Sequence, residues 1–240
     1  MRMATGPSRG RVHRLGDARY GNIYLASDAE FAVFLYSYFL PNVTHIAAQV
    51  DCEPAATQKI ALEMGVAHPR DQRGKPWTIS TDLVVTQTID GHAVREAINV
   101  KHALFDTSSS RFRALCSVEA AYHHERGASW RLCISKGLNT HWARNLSWLY
   151  PTADDFYRRG VSESDVVAQD KFLHALSHFH YANTIRDLCR HLTSASRLEP
   201  GMAVRAYRSL LATRQIWTNL NIFDLMEARP LDVQRNRYLR

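Results

Sequence analysis

Two apolar segments joined by Asp90-Gly91 constrain the fold of this chain more than any other feature. Residues 77–88 read WTISTDLVVTQT and residues 92–105 read HAVREAINVKHALF. The first segment has many β-branched residues, as strands do. An Asp-Gly pair between two such segments is a strong hairpin signal, because a type I′ turn requires positive φ at both central residues. The sequence therefore predicts an antiparallel strand pair.

Helix and strand patterns surround this hairpin. Residues 27–40 predict a buried helix, because Ser27 and Glu30 form a capping box at its start and Pro41 ends it. Strands are predicted over 43–51 and 129–135, and helices over 53–65, 111–127 and 139–151, the last ending at Pro151. These elements predict a mixed α/β domain with the hairpin at its centre.

The character of the chain changes after Pro151. Residues 152–212 are helical in pattern, and residues 214–225 suggest a strand pair. Three helices followed by a small hairpin is the order of a winged-helix module. The predicted organisation is therefore a basic arm over 1–20, an α/β domain over 21–151, a mainly helical winged-helix-like domain over 152–228 and a polar tail over 229–240.

The charge of the chain indicates a polyanionic partner. Lysine and arginine number 30 against 23 acidic residues, which gives a formal charge of +7. Nucleic acid is the usual partner of such a chain, although a genome that favours arginine codons would give the same balance. Arg9, Arg11 and Arg14 in the arm are candidates for contacting DNA phosphates, and the alternative is a solvated tail.

Cysteine usage and hydropathy point to the bacterial cytoplasm. The four cysteines show no CxxC spacing, which gives no sign of a thiolate zinc site and fits a reducing compartment. No apolar run approaches the roughly 20 residues of a membrane span, and residues 1–19 have no apolar stretch of signal-peptide type. We therefore expect no membrane association.

The candidate catalytic residues lie on the two hairpin segments. Asp82 stands among apolar residues of the first segment, and Lys101 among those of the second. Both are expensive to bury unless they are paired or bind a ligand. Asn99 lies two residues before Lys101, so the two share a face of the sheet. This is the pattern of PD-(D/E)xK nucleases, and the alternative is a structural ion pair.

Further motifs, taken together, resemble the TnsA family, the endonuclease subunits of heteromeric cut-and-paste transposases. The resemblance covers residues 8–150 closely and continues more loosely beyond them. It rests on Ser8-Arg9-Gly10-Arg11-Val12-His13, Ser27-Asp28-x-Glu30, His68-Pro69-Arg70-Asp71, Ser80-Thr81-Asp82, Asn99-Val100-Lys101, and Glu125-Arg126-Gly127 before a strand with Trp130.

The resemblance implies a restriction-endonuclease-like fold with catalytic Glu30, Asp82 and Lys101. It implies Mg²⁺, or Mn²⁺, held by Glu30, Asp82 and Asn99, and cleavage of the 5′ ends of a transposon. The implied partners are the transposon-end DNA, an integrase-like transposase that cuts and joins the 3′ ends, and an AAA+ regulator. The family often has Gln where this chain has Asn99. The shorter amide is expected to reach the metal through water or to serve only the scaffold.

Several alternatives stay open at the level of sequence. Without the family resemblance, the position of Glu30 is more typical of a simple capping box than of a catalytic residue. Arg70 is either a phosphate contact or a turn residue. Glu119 is expected to be solvated or to support the site from outside, and His123 to lie on a helix surface. The competing functions are an inactive DNA-binding or adaptor subunit and a stand-alone restriction or repair nuclease.

Overall fold

A computed structural model describes residues 11–102, 105–138, 140–178, 182–195 and 198–236 of the chain. The chain divides into two compact units, Met1–Leu138 and Asn139–Arg240. This division falls earlier than the predicted boundary at residue 151, which lies inside a helix of the second unit.

The first unit is built on a four-stranded mixed sheet. Its strand order is β3-β4-β5-β6, with β5 and β6 parallel and the other neighbours antiparallel. Its elements are β1 (His13–Asp17), β2 (Gly21–Leu25), α1 (Asp28–Tyr38), β3 (Val43–Asp51), α2 (Pro54–Glu63), β4 (Ser80–Ile89), β5 (His92–Lys101), α3 (Ser110–His124) and β6 (Ala128–Ile134). This confirms the predicted restriction-endonuclease-like α/β architecture.

The central hairpin forms where the Asp-Gly pair predicts it. β4 and β5 pair from Ile89 opposite His92 to Leu83 opposite Ile98. Asp90 and Gly91 have φ values of 50° and 79°, so both occupy the left-handed region that a type I′ turn requires. This turn fixes the register that brings the start of β4 beside the end of β5.

Residues 13–20 of the predicted basic arm are folded. β1 pairs antiparallel with β2, from His13 opposite Leu25 to Asp17 opposite Gly21. The buried Asp17 carboxylate closes the turn by accepting the backbone N–H groups of Arg19 and Tyr20, at 2.8 Å each. Residues 13–20 are therefore part of the first unit rather than a solvated arm.

The second unit is mainly helical. It contains α4 (Thr140–Arg159), α5 (Glu163–His178), α6 (Ile185–Ser194), α7 (Met202–Ala212), β7 (Ile216–Trp217) and β8 (Gln234–Arg235). Three helices, α5 to α7, thus precede a two-stranded antiparallel sheet. The predicted strand pair within residues 214–225 is wrong, because Ile216–Trp217 pairs with Gln234–Arg235 instead. Assignment of this unit as a winged helix stays a prediction.

The predicted end of α4 at Pro151 is wrong. The helix continues through Pro151 to Arg159. Proline removes one helical hydrogen bond, but Leu149, Ala153 and Phe156 place buried apolar groups on both sides of it. Packing of this continuous apolar stripe therefore outweighs the local cost of the proline.

The predicted polar tail is folded in its described part. Val233 is 7% exposed, Pro230 is buried, and the strand pair joins Ile216 to Arg235. Residues 229–236 are therefore part of the second unit, because their few apolar side chains supply buried area that the overall polarity of the segment conceals.

No helix among the described residues combines the length and the apolar character that crossing a membrane demands.

Candidate active site

Asp82 and Lys101 meet where β4 and β5 separate. Regular pairing of these strands stops at Leu83 and Ile98. Beyond that point, Asp82 Oδ2 accepts the Val100 N–H at 2.6 Å and lies 3.4 Å from Lys101 Nζ. Lys101 Nζ also donates to the Val100 carbonyl at 3.1 Å. The Asp82 carboxylate thus accepts a hydrogen bond between the two strands. The register of the hairpin places the Lys101 ammonium beside it.

Glu30 lies close enough to this pair to interact with it electrostatically. It is 5% exposed, although it carries a charge near the start of α1. Burial raises the pKa of its carboxyl above the ordinary value, and the Asp82 carboxylate raises it further. The hydrogen bonds from Ala26 and Ser27 and the Lys101 ammonium lower it. The structure therefore brings the three predicted catalytic residues together.

The capping-box interpretation of Glu30 is also confirmed. Ser27 Oγ accepts the Glu30 N–H at 3.1 Å and donates to Glu30 Oε1 at 3.0 Å. Glu30 Oε2 accepts the Ala26 N–H at 2.8 Å and the Gln49 side-chain amide at 2.9 Å. Because each carboxylate oxygen has two lone pairs, Oε1 keeps one for a further ligand. Capping holds this carboxylate in a fixed position and leaves it able to bind a cation.

The donor chemistry at this site fits a hard divalent cation. The described residues contain no group of three or more His, Cys, Asp and Glu side chains able to hold a metal ion. What the site offers is the Glu30 and Asp82 carboxylates and the Asn99 amide oxygen, which is buried without a hydrogen bond. Mg²⁺ is typically held by one or two carboxylates together with water and substrate phosphate. The residues present match that requirement.

A second buried cluster supports the site from α3. Glu119 is 1% exposed, which excludes the solvated alternative and leaves the other predicted role, a carboxylate that supports the site from outside. Its Oε1 accepts the Thr81 hydroxyl at 2.7 Å and its Oε2 accepts the Asn99 amide at 2.8 Å. Burial raises the pKa of the Glu119 carboxyl, and these hydrogen bonds lower it. The Glu119 carboxylate thus connects Thr81, which precedes Asp82, to Asn99, which lies two residues before Lys101.

His123 belongs to the same cluster and is not on the surface. It is 3% exposed, and its Nε2 lies 2.7 Å from Thr81 Oγ1. Because that hydroxyl donates its one proton to Glu119, His123 Nε2 must carry the proton between them. Burial lowers the pKa of His123, as do the nearby Arg95 and Arg126. The neutral imidazole is therefore the form that the fold favours.

A helical pattern in the sequence identifies Glu119 as inward-facing. Leu115, Val118 and Tyr122 form the apolar side of α3, and each is at least partly buried against its neighbours. Glu119 follows Leu115 by four residues and precedes Tyr122 by three, so it lies on the same side of the helix. A carboxylate in an apolar stripe is a signal of a buried polar contact.

Of the predicted DNA-binding arginines, the structure describes Arg11, Arg14 and Arg70. Arg9 is outside the described residues. Arg11 and Arg14 are exposed, and the Arg14 guanidinium lies 5.8 Å from the centre of the Tyr24 ring. Arg70 is exposed, but its Nη1 donates to the Gly74 carbonyl at 2.8 Å, as expected of a turn residue. Their contacts with DNA stay predictions.

A mixed sheet flanked by helices, with a carboxylate and a lysine meeting where two central strands separate, defines the restriction-endonuclease-like class. Comparison with known proteins narrows this class. Residues 138–220 match the family model described as the TnsA endonuclease C terminal. The chain is also 30% identical over 241 residues to the transposon Tn7 transposition protein TnsA of Escherichia coli, covering 97% of this chain and 85% of that protein. The chain therefore belongs to the TnsA family of transposition endonucleases.

Proposed function

We propose that this chain is the Mg²⁺-dependent (or Mn²⁺-dependent) subunit that cleaves the 5′ ends of a transposon. An integrase-like transposase cuts and joins the 3′ ends in this proposal, and an AAA+ regulator controls the assembly. Membership in the TnsA family supports the class of reaction. The observation that carries the proposal is the meeting of Asp82, Lys101 and Glu30 at the separating ends of β4 and β5.

Glu30 and Asp82 are the residues that would hold the metal ion. Each keeps capacity for a ligand, because Glu30 Oε1 has one hydrogen bond and the described residues give Asp82 Oδ1 none. When bound, Mg²⁺ polarises a phosphoryl oxygen and lowers the pKa of a coordinated water. Because neutral donors and one lysine surround these carboxylates, a divalent cation would offset their mutual repulsion.

Lys101 is proposed to act on the attacking water and on the phosphate. Two of its three ammonium protons point to Asp82 Oδ2 and the Val100 carbonyl, and the third is available to substrate. A fixed ammonium stabilises negative charge that develops on phosphoryl oxygens in the transition state. The expected products are a 5′-phosphate and a 3′-hydroxyl.

Asn99 is proposed to have a supporting role. Its Nδ2 donates to the buried Glu119 carboxylate, which fixes the amide plane. Its Oδ1 is buried without a partner among the described residues, and it is therefore the atom through which water could connect the amide to the cation. Direct ligation and scaffold support both remain compatible with this arrangement.

The Asp82→Asn variant tests the proposal. Asparagine keeps an acceptor for the Val100 N–H but removes the charge, so the fold should be retained. Titration with Mg²⁺, followed by calorimetry, should lose its binding signal in this variant. In a reaction with the transposase and a transposon-end substrate, 5′ cleavage should disappear while the 3′ cuts persist. The matched control is Glu63→Gln, an exposed carboxylate on α2.

Other outcomes would select the competing functions. If the unaltered chain fails to cleave the 5′ strand with its transposase and Mg²⁺, it is an inactive adaptor. If it cuts DNA strongly and selectively by itself, it is a stand-alone nuclease. Weak activity alone and strong activity with the transposase is the expected result, because the partner positions the substrate over an existing site.

A further inference from the structure

A basic loop over residues 70–77 connects the end of α2 to β4 and has a defined backbone structure. Its two sides form an antiparallel bridge between Arg70 and Pro76. Asp71 N–H donates to the Lys75 carbonyl at 2.8 Å, and Asp71 Oδ1 accepts the backbone N–H groups of Arg73 and Lys75 at 2.8 and 2.9 Å. Gly74 supplies the positive φ, +74°, at the tip. The basic loop is therefore preorganised.

The cations of the basic loop differ in what they contact. Arg70 donates to the Gly74 carbonyl and so supports the loop itself. Arg73 and Lys75 are exposed, and the part of the chain that the structure describes gives neither of them an acidic partner. Asp71, the carboxylate within the loop, is already occupied by backbone N–H groups. The loop thus presents two uncompensated positive charges at a fixed spacing.

An exposed tryptophan adjoins these charges. Trp77 is 56% exposed, although its backbone is fixed by a 2.8 Å hydrogen bond from its N–H to the Pro69 carbonyl. A large aromatic side chain on a rigid basic loop offers a surface for sugars or bases next to charges that suit phosphates. These two features together are complementary to a nucleic acid rather than to an acidic peptide, which would not require the exposed ring.

The basic loop also lies close to the catalytic residues along the chain. It leads into Ile79, which is buried and accepts the Cys52 N–H at 2.8 Å, and then into β4. Asp82 lies five positions after Trp77, so their Cα atoms are at most about 18 Å apart. Along the helix axis of duplex DNA, a length of about 18 Å contains about five phosphates of one strand. One duplex can therefore contact the basic loop and the candidate active site together.

We infer that the basic loop binds the phosphate backbone of duplex DNA beside the scissile phosphate. Arg73 and Lys75 contact phosphates, and Trp77 contacts an adjoining sugar or base. Arg70, which the sequence predicts as the phosphate contact, instead supports the loop. A preorganised loop loses little conformational entropy on binding. The position of the loop beside the cut rests on the proposed function, whereas its binding to DNA does not.

The test compares two charge-neutralising double variants of the full chain. One carries Arg73→Gln and Lys75→Gln in the basic loop. The control carries Lys59→Gln and Arg190→Gln, two exposed cations elsewhere whose loss lowers the net charge equally. Fluorescence anisotropy measures affinity for a labelled random-sequence duplex over a range of salt concentrations without divalent metal. Loss of two phosphate contacts should reduce the slope of log K against log salt by about 1.8. The control should keep the original slope.

An unchanged slope in the loop variant, an equal fall in the control, or no duplex binding by the unaltered chain would overturn the inference. Trp77→Ala should weaken binding without changing the slope, and unchanged affinity would exclude the ring from the interface. Thermal denaturation checks that both double variants are folded. Because this assay contains no metal and measures no cleavage, a failure of the Asp82→Asn experiment would leave its result intact.

Discussion

In the second unit, Asp165 is 3% exposed and is compensated by arginines. Its Oδ1 accepts Arg205 Nε at 2.7 Å and its Oδ2 accepts Arg159 Nη2 at 3.1 Å. In the first unit, Glu119 is 1% exposed, yet its hydrogen bonds come from a neutral hydroxyl and a neutral amide, those of Thr81 and Asn99. The two carboxylates are buried equally but are compensated differently.

The difference separates structural from functional acidic residues. A buried carboxylate whose charge is neutralised by cations of the same fold has nothing left to bind, and it is expected to act through stability alone. Around the candidate active site, Asp82 is paired with Lys101, whereas Glu30 and Glu119 accept hydrogen bonds from neutral groups. Burial raises the pKa values of Glu30 and Glu119. Negative charge in excess of positive charge at one location favours an external cation.

The largest expected effect is the loss of cleavage in Lys101→Ala. Removing a fixed charge from a catalytic site typically lowers the rate by about 10²–10³-fold. Cleavage of the 5′ strand in the presence of the transposase should fall by that amount, while the partner's 3′ cuts persist. Stability should change less than in Asp165→Ala below, because the Asp82 carboxylate keeps its hydrogen bond from the Val100 N–H after Lys101 is truncated.

Lys59→Ala, which removes an exposed lysine of α2, is the control and should retain full cleavage. The contrast between the two units would be wrong if Lys101→Ala lowered the stability of the chain while the protein that stayed folded cleaved at the normal rate. Asp82 and Lys101 would then be a structural pair like those of the second unit.

Asp165→Ala is expected to lower the stability of the chain, whereas Lys101→Ala lowers cleavage. Asp165→Ala removes one of the two carboxylates that Arg159 and Arg205 share, the other being Asp155, and it removes the acceptor of the Ser162 hydroxyl and N–H. Breaking a buried charge network of this kind costs about 3–5 kcal/mol, with the lower value favoured here because Arg159 is 41% exposed. Urea denaturation should show this loss, and Asp170→Ala, on the exposed side of the same helix, should change stability by less than about 0.5 kcal/mol.

Much of the first unit is predictable from local patterns. The Asp90-Gly91 turn fixes the hairpin register, and that register places Asp82 near Lys101. The Ser27–Glu30 capping box likewise determines the start of α1. These features depend on residues close together in sequence, so single-sequence reasoning can find them. Asp82 and Lys101 meet for that reason, whereas the approach of Glu30 to this pair depends on the tertiary packing of α1.

The features that the sequence analysis misses depend on tertiary packing. α4 continues through Pro151 because buried residues follow it, and Glu119 is buried because Thr81 and Asn99 supply donors from two strands. A local window can show that Glu119 faces inward, but it cannot show its partners or the continuation of α4. The folding of residues 229–236 is missed for a similar reason, since Arg235 pairs with Ile216, which is distant in sequence.

Val233→Ala tests whether the end of the second unit belongs to its core. Loss of two buried carbon groups, at about 0.8 kcal/mol each, should cost about 2 kcal/mol when a small cavity remains. Leu231→Ala is the matched control, because Leu231 is 70% exposed and its truncation should be nearly neutral. If both variants are equally stable in urea, residues 229–236 are a polar tail and not part of the core of the second unit.

The smallest effect concerns His123, a buried imidazole of the first unit, which is compared with the exposed His174 of the second unit. The surroundings of His123 are Thr81, the Cys52 thiol at 3.9 Å, and the charges of Arg95 and Arg126, with Glu119 behind Thr81. Burial and the two arginines lower the pKa of His123 in the folded chain. The unfolded chain therefore binds a proton first as the pH falls.

The sign of the pH dependence follows from this difference. The stability that His123 contributes is complete above the unfolded pKa of about 6.5 and is lost as the pH falls through that value towards the lower folded pKa. The free energy of unfolding, measured in urea at pH 7.5 and 5.5, should fall less in His123→Gln than in the unaltered chain. His174→Gln, an exposed histidine of α5, should leave the difference unchanged. An unaltered slope in His123→Gln would mean that the buried imidazole becomes protonated without cost, so that the contrast between the units would rest on the carboxylates alone.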